Sequence, residues 1–184
     1  MDLTGKCLIA MPGLGDPRFE KSLVYLCSHA PEGAMGLIVN KPLREVTFRT
    51  LLEQVNIRPT PDARAIAVHY GGPVEPGRGF VLHSADYSAG RGTMALPGGL
   101  GMTATLDIVE ELARGQGPSR ALFALGYAGW GPGQLESEIL RNDWLTVDAP
   151  ASLVFGADDG GKWGRALALL GVDPLTLSAA AGRA

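Results

Sequence analysis

Cys27-Ser-His29 places a thiol and an imidazole two residues apart, the spacing that puts both side chains on one face of a β-strand. A free thiol with a pKa of about 8.5 is only about 3% thiolate at pH 7, so useful nucleophilicity requires a pKa lowered to about 7. A protonated His29 would supply part of that. One reading is therefore a thiol-dependent enzyme or redox sensor using Cys27 with His29. The other is a small core residue, the usual fate of a cysteine in an apolar strand.

Two glycine patterns suggest nucleotide chemistry and then fail on their neighbours. Gly156-Ala-Asp-Asp-Gly-Gly-Lys162 has the spacing of a phosphate-binding loop, but Trp163 stands where a magnesium-binding Ser or Thr is required. Asp158 and Asp159 would put negative charge where phosphates must sit. A solvated surface turn is the expectation there. Gly99-Leu-Gly-Met-Thr-Ala104 resembles a dinucleotide fingerprint but lacks the acidic residue about 20 positions on. Thr103 or Thr105 is instead expected to cap the following helix, with Asp107 in its first turn.

His69 and His83 lie on separate segments without metal-ligand spacing, and neither a nucleophile elbow nor a zinc motif occurs. Neither a metal nor a cofactor is expected, and a non-catalytic role is favoured. A net charge of −3 with scattered basic residues argues against a protein that grips phosphate backbones, so nucleic acid is not expected as a direct partner.

The elements that would position these residues follow from apolar period. Strands are predicted at Cys7–Met11, Ser22–His29, Ala34–Asn40, Ala65–Tyr70, Gly79–His83, Thr93–Leu96, Ala121–Leu125 and Ser152–Phe155. Ala30-Pro-Glu-Gly33 reads as a four-residue hairpin loop. Helical spacing marks Thr47–Ile57, with Thr47 as N-cap, the face Leu106, Val109, Leu112 and Ala113, a short helix over Gln134–Arg141, and Lys162–Leu170. Consecutive early strands and later helix crossovers imply an α+β fold with a mixed sheet.

The chain of 184 residues suits one domain. Its amino end lacks a secretory pattern, and its longest uncharged run is too short for a membrane span. A cytoplasmic protein without a membrane segment is expected, with Cys7 and Cys27 reduced.

Gly126-Tyr-Ala-Gly-Trp-Gly-Pro-Gly-Gln-Leu-Glu-Ser-Glu-Ile139 is the densest glycine stretch before a helix. Pro132 suits N1 of that helix, with Gln134 at N3. Glu136 and Glu138 would already oppose the helix dipole, so an incoming anion meets repulsion. What remains is a tight corner, where Trp130 either plugs the core or walls a binding cleft.

Taken together, Leu8-Ile-Ala-Met-Pro12 with Asp16-Pro17 and Phe19, Ser22 with Tyr25, Cys27 and His29, and Gly33-Ala-Met-Gly-Leu37 with Asn40 and Pro42 resemble the AlgH/YqgE family. So do Gly71-Gly-Pro-Val74, Arg78-Gly-Phe-Val-Leu-His-Ser84, Gly126-Tyr-Ala-Gly-Trp130, Gly133-Gln-Leu-Glu136 with Glu138, and Asn142 with Trp144-Leu145. The resemblance covers nearly the whole chain in order. It implies a bacterial protein of one compact domain, with a barrel-like, mostly antiparallel mixed sheet and about four helices around it. Some members of that family carry a transcriptional-regulator label. The chain departs from the family pattern at its end, Ala181-Gly-Arg-Ala184 in place of Ala-Gly-His-Ala, and at Thr103-Ala-Thr105. The motif blocks place Asp16, Asn40, Arg78, His83, Trp130, Gln134 and Glu138 next to turns. These are the candidate surface for a small ligand or a protein partner.

Overall fold

The apolar runs near the amino end form strands because successive side chains have two separate cores to enter. In the computed structural model, which describes residues 1–148 and 150–181, β1 (Cys7–Ala10), β2 (Leu23–Ala30) and β3 (Gly33–Ile38) pair antiparallel. Leu23 and Tyr25 join one buried cluster, while Val24 and Leu26 join another on the opposite face. The expected β2–β3 hairpin is present with a tighter turn, because Ala30 pairs with Gly33 and leaves two loop residues.

The remaining strands are β4 (Val68–Tyr70), β5 (Val74–Ser84), β6 (Thr93–Leu96), β7 (Leu100–Thr103), β8 (Ala121–Trp130) and β9 (Trp144–Val147). Their order is β6-β7-β5-β8-β3-β2-β1-β9, with β4 parallel to β8 and the other pairings antiparallel. The sheet curls into a half-barrel, and the fold is α+β. Its pivot is β8. The first half of β8 pairs with β5 and β4, and its end pairs with β3.

That division explains the glycines. The strand expected to stop at Leu125 runs on to Trp130, bent at Gly126, whose φ is +74°. The chain at Gly71 and Gly72 crosses the bend so closely that a Cβ on Gly71 would lie 2.2 Å from the Gly126 carbonyl oxygen, and one on Gly72 would lie 2.1 Å from the Tyr127 carbonyl carbon. The glycines serve a backbone crossing, which is the tight corner the sequence implies.

Helix α1 (Phe48–Gln54) begins at a reciprocal cap, with the Thr50 N–H donating to Thr47 Oγ1 and the Thr47 N–H to Thr50 Oγ1, both at 3.1 Å. Helix α2 (Leu106–Ala113) has Thr105 at its N-cap position and Asp107 in its first turn, although the Thr105 hydroxyl makes no capping bond. Both helices cover the outer face of the sheet, packing Phe48, Leu52, Ile108 and Leu112 on Val81 and Phe123. Helix α3 (Gln134–Leu140) covers the other outer patch with Leu135.

Two expectations fail here. Ser152–Phe155 is not a strand: Ser152–Val154 lie in α4 (Ala151–Val154), and Phe155 is its C-cap. Adjacent Leu153 and Val154 both enter the inner core, which a helical turn allows and an alternating strand does not. Helix α6 (Pro174–Ala181), where no helix was expected, brings the α-helices among the described residues to six. The terminal Gly182-Arg-Ala184 lies outside the described residues.

The second failure concerns Gly156–Lys162, where the exposed turn ends at Asp158 and the rest is helical. Asp158 caps α5 (Asp159–Leu169), and Lys162 is 1% exposed. The three protons of its ammonium find the carbonyls of Val39 and Val154 and the carboxylate of Asp159, each at 2.8 Å. Asp159 in turn meets His69 Nε2 at 3.1 Å. This buried chain fastens α5 to β4 and to the residue that follows β3. Among the described residues no helix is long and apolar enough to cross a membrane.

Candidate functional site

Four of the seven candidate residues come together. Trp130 ends β8, and Gly133, with φ +72°, reverses the chain into α3. Gln134 is therefore the first residue of α3 rather than the third, and its Oε1 accepts from the Gly131 N–H at 3.0 Å. One turn on, Glu138 faces back. Its Oε2 accepts the indole N–H of Trp130 at 2.7 Å and that of Trp144 at 3.0 Å, while Oε1 accepts from Gln134 Nε2 at 3.2 Å. Trp130 and Trp144 meet edge to face with centroids 5.8 Å apart, and Phe19 meets Trp144 the same way at 5.6 Å.

The facing wall is the loop before β2. Asp16 caps its short turn by accepting from the Arg18 N–H at 3.0 Å and pairs with the Arg18 guanidinium at 2.7 Å, a hydrogen bond that holds the Asp16 carboxyl below the usual range. Arg141 and Asp143, just past α3, make a second pair at 3.1 Å. Between these walls is a cleft of about 410 Å³. On the loop's other side a cleft of about 470 Å³ shares Leu14, Asp16 and Phe19 and is floored by Met11 and Trp163. Trp130 itself is 7% exposed, so it fills the outer core and presents only an edge to the cleft.

The other three candidates lie elsewhere. Asn40 straps the start of β2, with Oδ1 accepting from the Leu23 N–H and Nδ2 donating to the Lys21 carbonyl. Arg78 pairs with Glu75 and lies 5.0 Å over the Phe80 ring. His83 is fully buried beneath β7. Its Nδ1–H donates to the Ser84 carbonyl at 2.8 Å, so Nε2 is left to accept from the Thr103 hydroxyl at 2.7 Å. Burial lowers the pKa of this imidazole, in keeping with that neutral tautomer.

Cys27 and His29 are separated by a feature the sequence did not signal. The β2–β3 register passes from Leu26 opposite Gly36 to Ser28 opposite Met35, so Cys27 is the extra residue of a bulge. Alternation restarts after it. Cys27 stays inward with Tyr25, whereas His29, opposite Ala34, turns to the outer face. There His29 Nδ1 accepts from the Leu3 N–H at 3.0 Å, and Nε2 meets Glu136 of α3. Burial pushes the Cys27 thiol up to about 12.

At pH 8 such a thiol is about 10⁻⁴ ionised. Native protein is therefore expected to resist a small thiol reagent that labels both cysteines rapidly once denaturant is added. Fast labelling of Cys27 in the native state at pH 7 would contradict this burial.

Arg18, Phe19, Arg141, Asp143 and Trp144 belong to the cleft and were not among the candidate residues. Their only sequence signal is the local density of charge and aromatic character around Trp144 and after Asp16, and nothing in linear spacing joins the two. Among the described residues no group of three or more His, Cys, Asp or Glu could hold a metal ion.

Comparison with known proteins agrees with this architecture. An AlgH-like family model matches residues 7–175. A UPF0301 protein of Cereibacter sphaeroides is 62% identical over 184 residues, covering all of both chains, and one of Ruegeria pomeroyi is 60% identical over 185 residues at the same coverage. The solution structure of the AlgH protein from Pseudomonas aeruginosa superposes with a TM-score of 0.82 at 39% identity, over 100% of this chain and 97% of that one. Protein DIP2367 from Corynebacterium diphtheriae, 24% identical over 89% of this chain and 84% of its own, shares the fold with a TM-score of 0.63. By its sequence, and by a fold whose pivot strand carries the Gly126–Trp130 motif, the chain belongs to the AlgH-like family.

Proposed function

We propose that this is a non-catalytic binding or regulatory protein of the cytoplasm, acting on a small ligand or protein partner through the cleft between the Leu14–Phe19 loop and α3. The observation that carries the reading is convergence. Asp16, from the loop before β2, meets Trp130, Gln134 and Glu138 of the β8–α3 corner, a segment distant from it in sequence, and the four line one cleft of about 410 Å³, a size suited to small molecules. The net charge of −3 favours such a partner over direct contact with a duplex.

The test follows the indole N–H resonances of ¹⁵N-labelled protein during titration with fractionated small molecules from a bacterial extract. Trp130 and Trp144 donate to Glu138 at the cleft, whereas Trp163 donates to the Ala10 carbonyl away from it. A ligand of the cleft is expected to shift the first two and leave the third. Ligands that move only other regions of the protein would overturn the reading.

A further inference from the structure

We infer that the ligand of this cleft carries an organic cation, an ammonium or guanidinium group, with Glu138 as its counter-charge. The inference rests on the binding role proposed for the cleft. Five ionisable side chains line the cleft: Asp16, Arg18, Glu138, Arg141 and Asp143. Four of them neutralise one another in pairs, Asp16 with Arg18 and Asp143 with Arg141.

Glu138 is left over. Among the described residues no Lys, Arg or His pairs with it, and its three donors are neutral groups, two indoles and one amide. Those three donors use both carboxylate oxygens as acceptors without cancelling the formal charge, which is left without a cationic partner. The unpaired charge lines the cleft beside the edge-to-face rings of Phe19, Trp144 and Trp130. A carboxylate without a counter-charge beside aromatic side chains in a cleft favours an organic cation through its charge and through apolar contact with the cation's carbon skeleton. Arg18 and Arg141 do not oppose it, because each guanidinium is already engaged through its Nε and one terminal nitrogen by its own aspartate.

Agmatine and benzylammonium serve as probes, with benzoate and inorganic phosphate as anionic counterparts. Each is titrated while the Trp130 and Trp144 indole resonances are followed. The cations are expected to shift both resonances, and Glu138→Gln, which keeps an oxygen for the indoles and gives up the bond from Gln134, is expected to weaken their binding about ten-fold or more. Undiminished cation affinity in Glu138→Gln would overturn the assignment of Glu138. Binding of benzoate or phosphate with the cations silent would overturn the charge inference and leave the cleft reading standing. Silence from all four probes, alongside a natural ligand found at the cleft that carries no cation, would overturn it too. Should Glu138→Gln fail to fold, the salt dependence of agmatine binding to the unaltered protein decides. A cation held by an unpaired carboxylate weakens as salt rises, and a salt-independent affinity would sink the proposal.

Discussion

Lys162→Ala should destabilise the protein by about 3–5 kcal/mol, the loss typical of breaking a buried ion pair from one side. The substitution leaves the Val39 and Val154 carbonyls without their donor, and leaves Asp159, whose side chain is 15% exposed, with His69 alone. Lys162→Met keeps most of the apolar stem and is expected to lose less. Combining it with Asp159→Asn should recover part of that loss, because the uncompensated charge is removed as well. Urea midpoints at constant m-value measure all three. A loss below about 1 kcal/mol for Lys162→Ala would mean that water reaches the site and solvates what the lysine left.

The same network sets an acid limit. Burial pushes the Asp159 carboxyl up, but the hydrogen bonds and charges of His69 and Lys162 outweigh it and hold the carboxyl below its ordinary 3.8. A group depressed in the folded state contributes its stabilisation in full above the unfolded value and loses it as pH falls through the folded one. This contribution is therefore intact at neutral pH, begins to fade near pH 4 and is lost as pH falls through the depressed folded value.

Gly72→Ala is the other severe change. At φ +153° a side chain is strained, and its Cβ would stand 2.1 Å from the Tyr127 carbonyl carbon, with backbone atoms as the three nearest neighbours. No rotamer relieves an overlap with backbone, so the expected loss is roughly 3 kcal/mol or more. Two controls separate strain from overlap. Gly99, at φ +74° with nothing within 4 Å of a Cβ, should lose about 1–2 kcal/mol as alanine, from strain alone. Gly77 has neither strain nor a neighbour and should be neutral or gain up to about 1 kcal/mol. If Gly72→Ala proved no worse than Gly99→Ala, the crossing at the β8 bend would have room to open.

What the sequence made legible was whatever depends on local period. Phe48, Leu51, Leu52 and Val55 repeat at helical spacing behind a threonine cap, and α1 is found there. The strands β1 to β3 are likewise plain in their apolar runs. The errors occur where distant packing decides. Ser152–Phe155 is too short to display a period, and only the inner core makes it helical. Trp144–Val147 was not among the expected strands, being only four residues long, and it becomes β9 through pairing with β1. Lys162 sits among aspartates and glycines that read as surface, while its three acceptors come from β3's end, α4 and its own helix.

The candidate site was legible in the same uneven way. The glycine-rich end of β8 and the acidic turn of α3 are contiguous, so Trp130, Gln134 and Glu138 could be grouped from the sequence. Asp16 was placed with them by motif resemblance alone. Trp144 and the two arginine pairs join only when β9 docks beside β1. Cys27 and His29 show the opposite failure, where ideal alternation suggested a meeting that one bulged residue prevents.

The central position of β8 also governs how the molecule can be built as it leaves the ribosome. Three strands that precede it in the chain, β3, β4 and β5, use it as a neighbour, and β1 waits still longer for β9. While the first 120 residues emerge, these strands carry unpaired edges and half-covered apolar faces. The half-barrel therefore cannot close until Trp130 and then Val147 have been synthesised. Folding becomes a late, nonlocal event with the slow kinetics of such topologies, and the nascent chain is most exposed to aggregation just before its pivot strand appears.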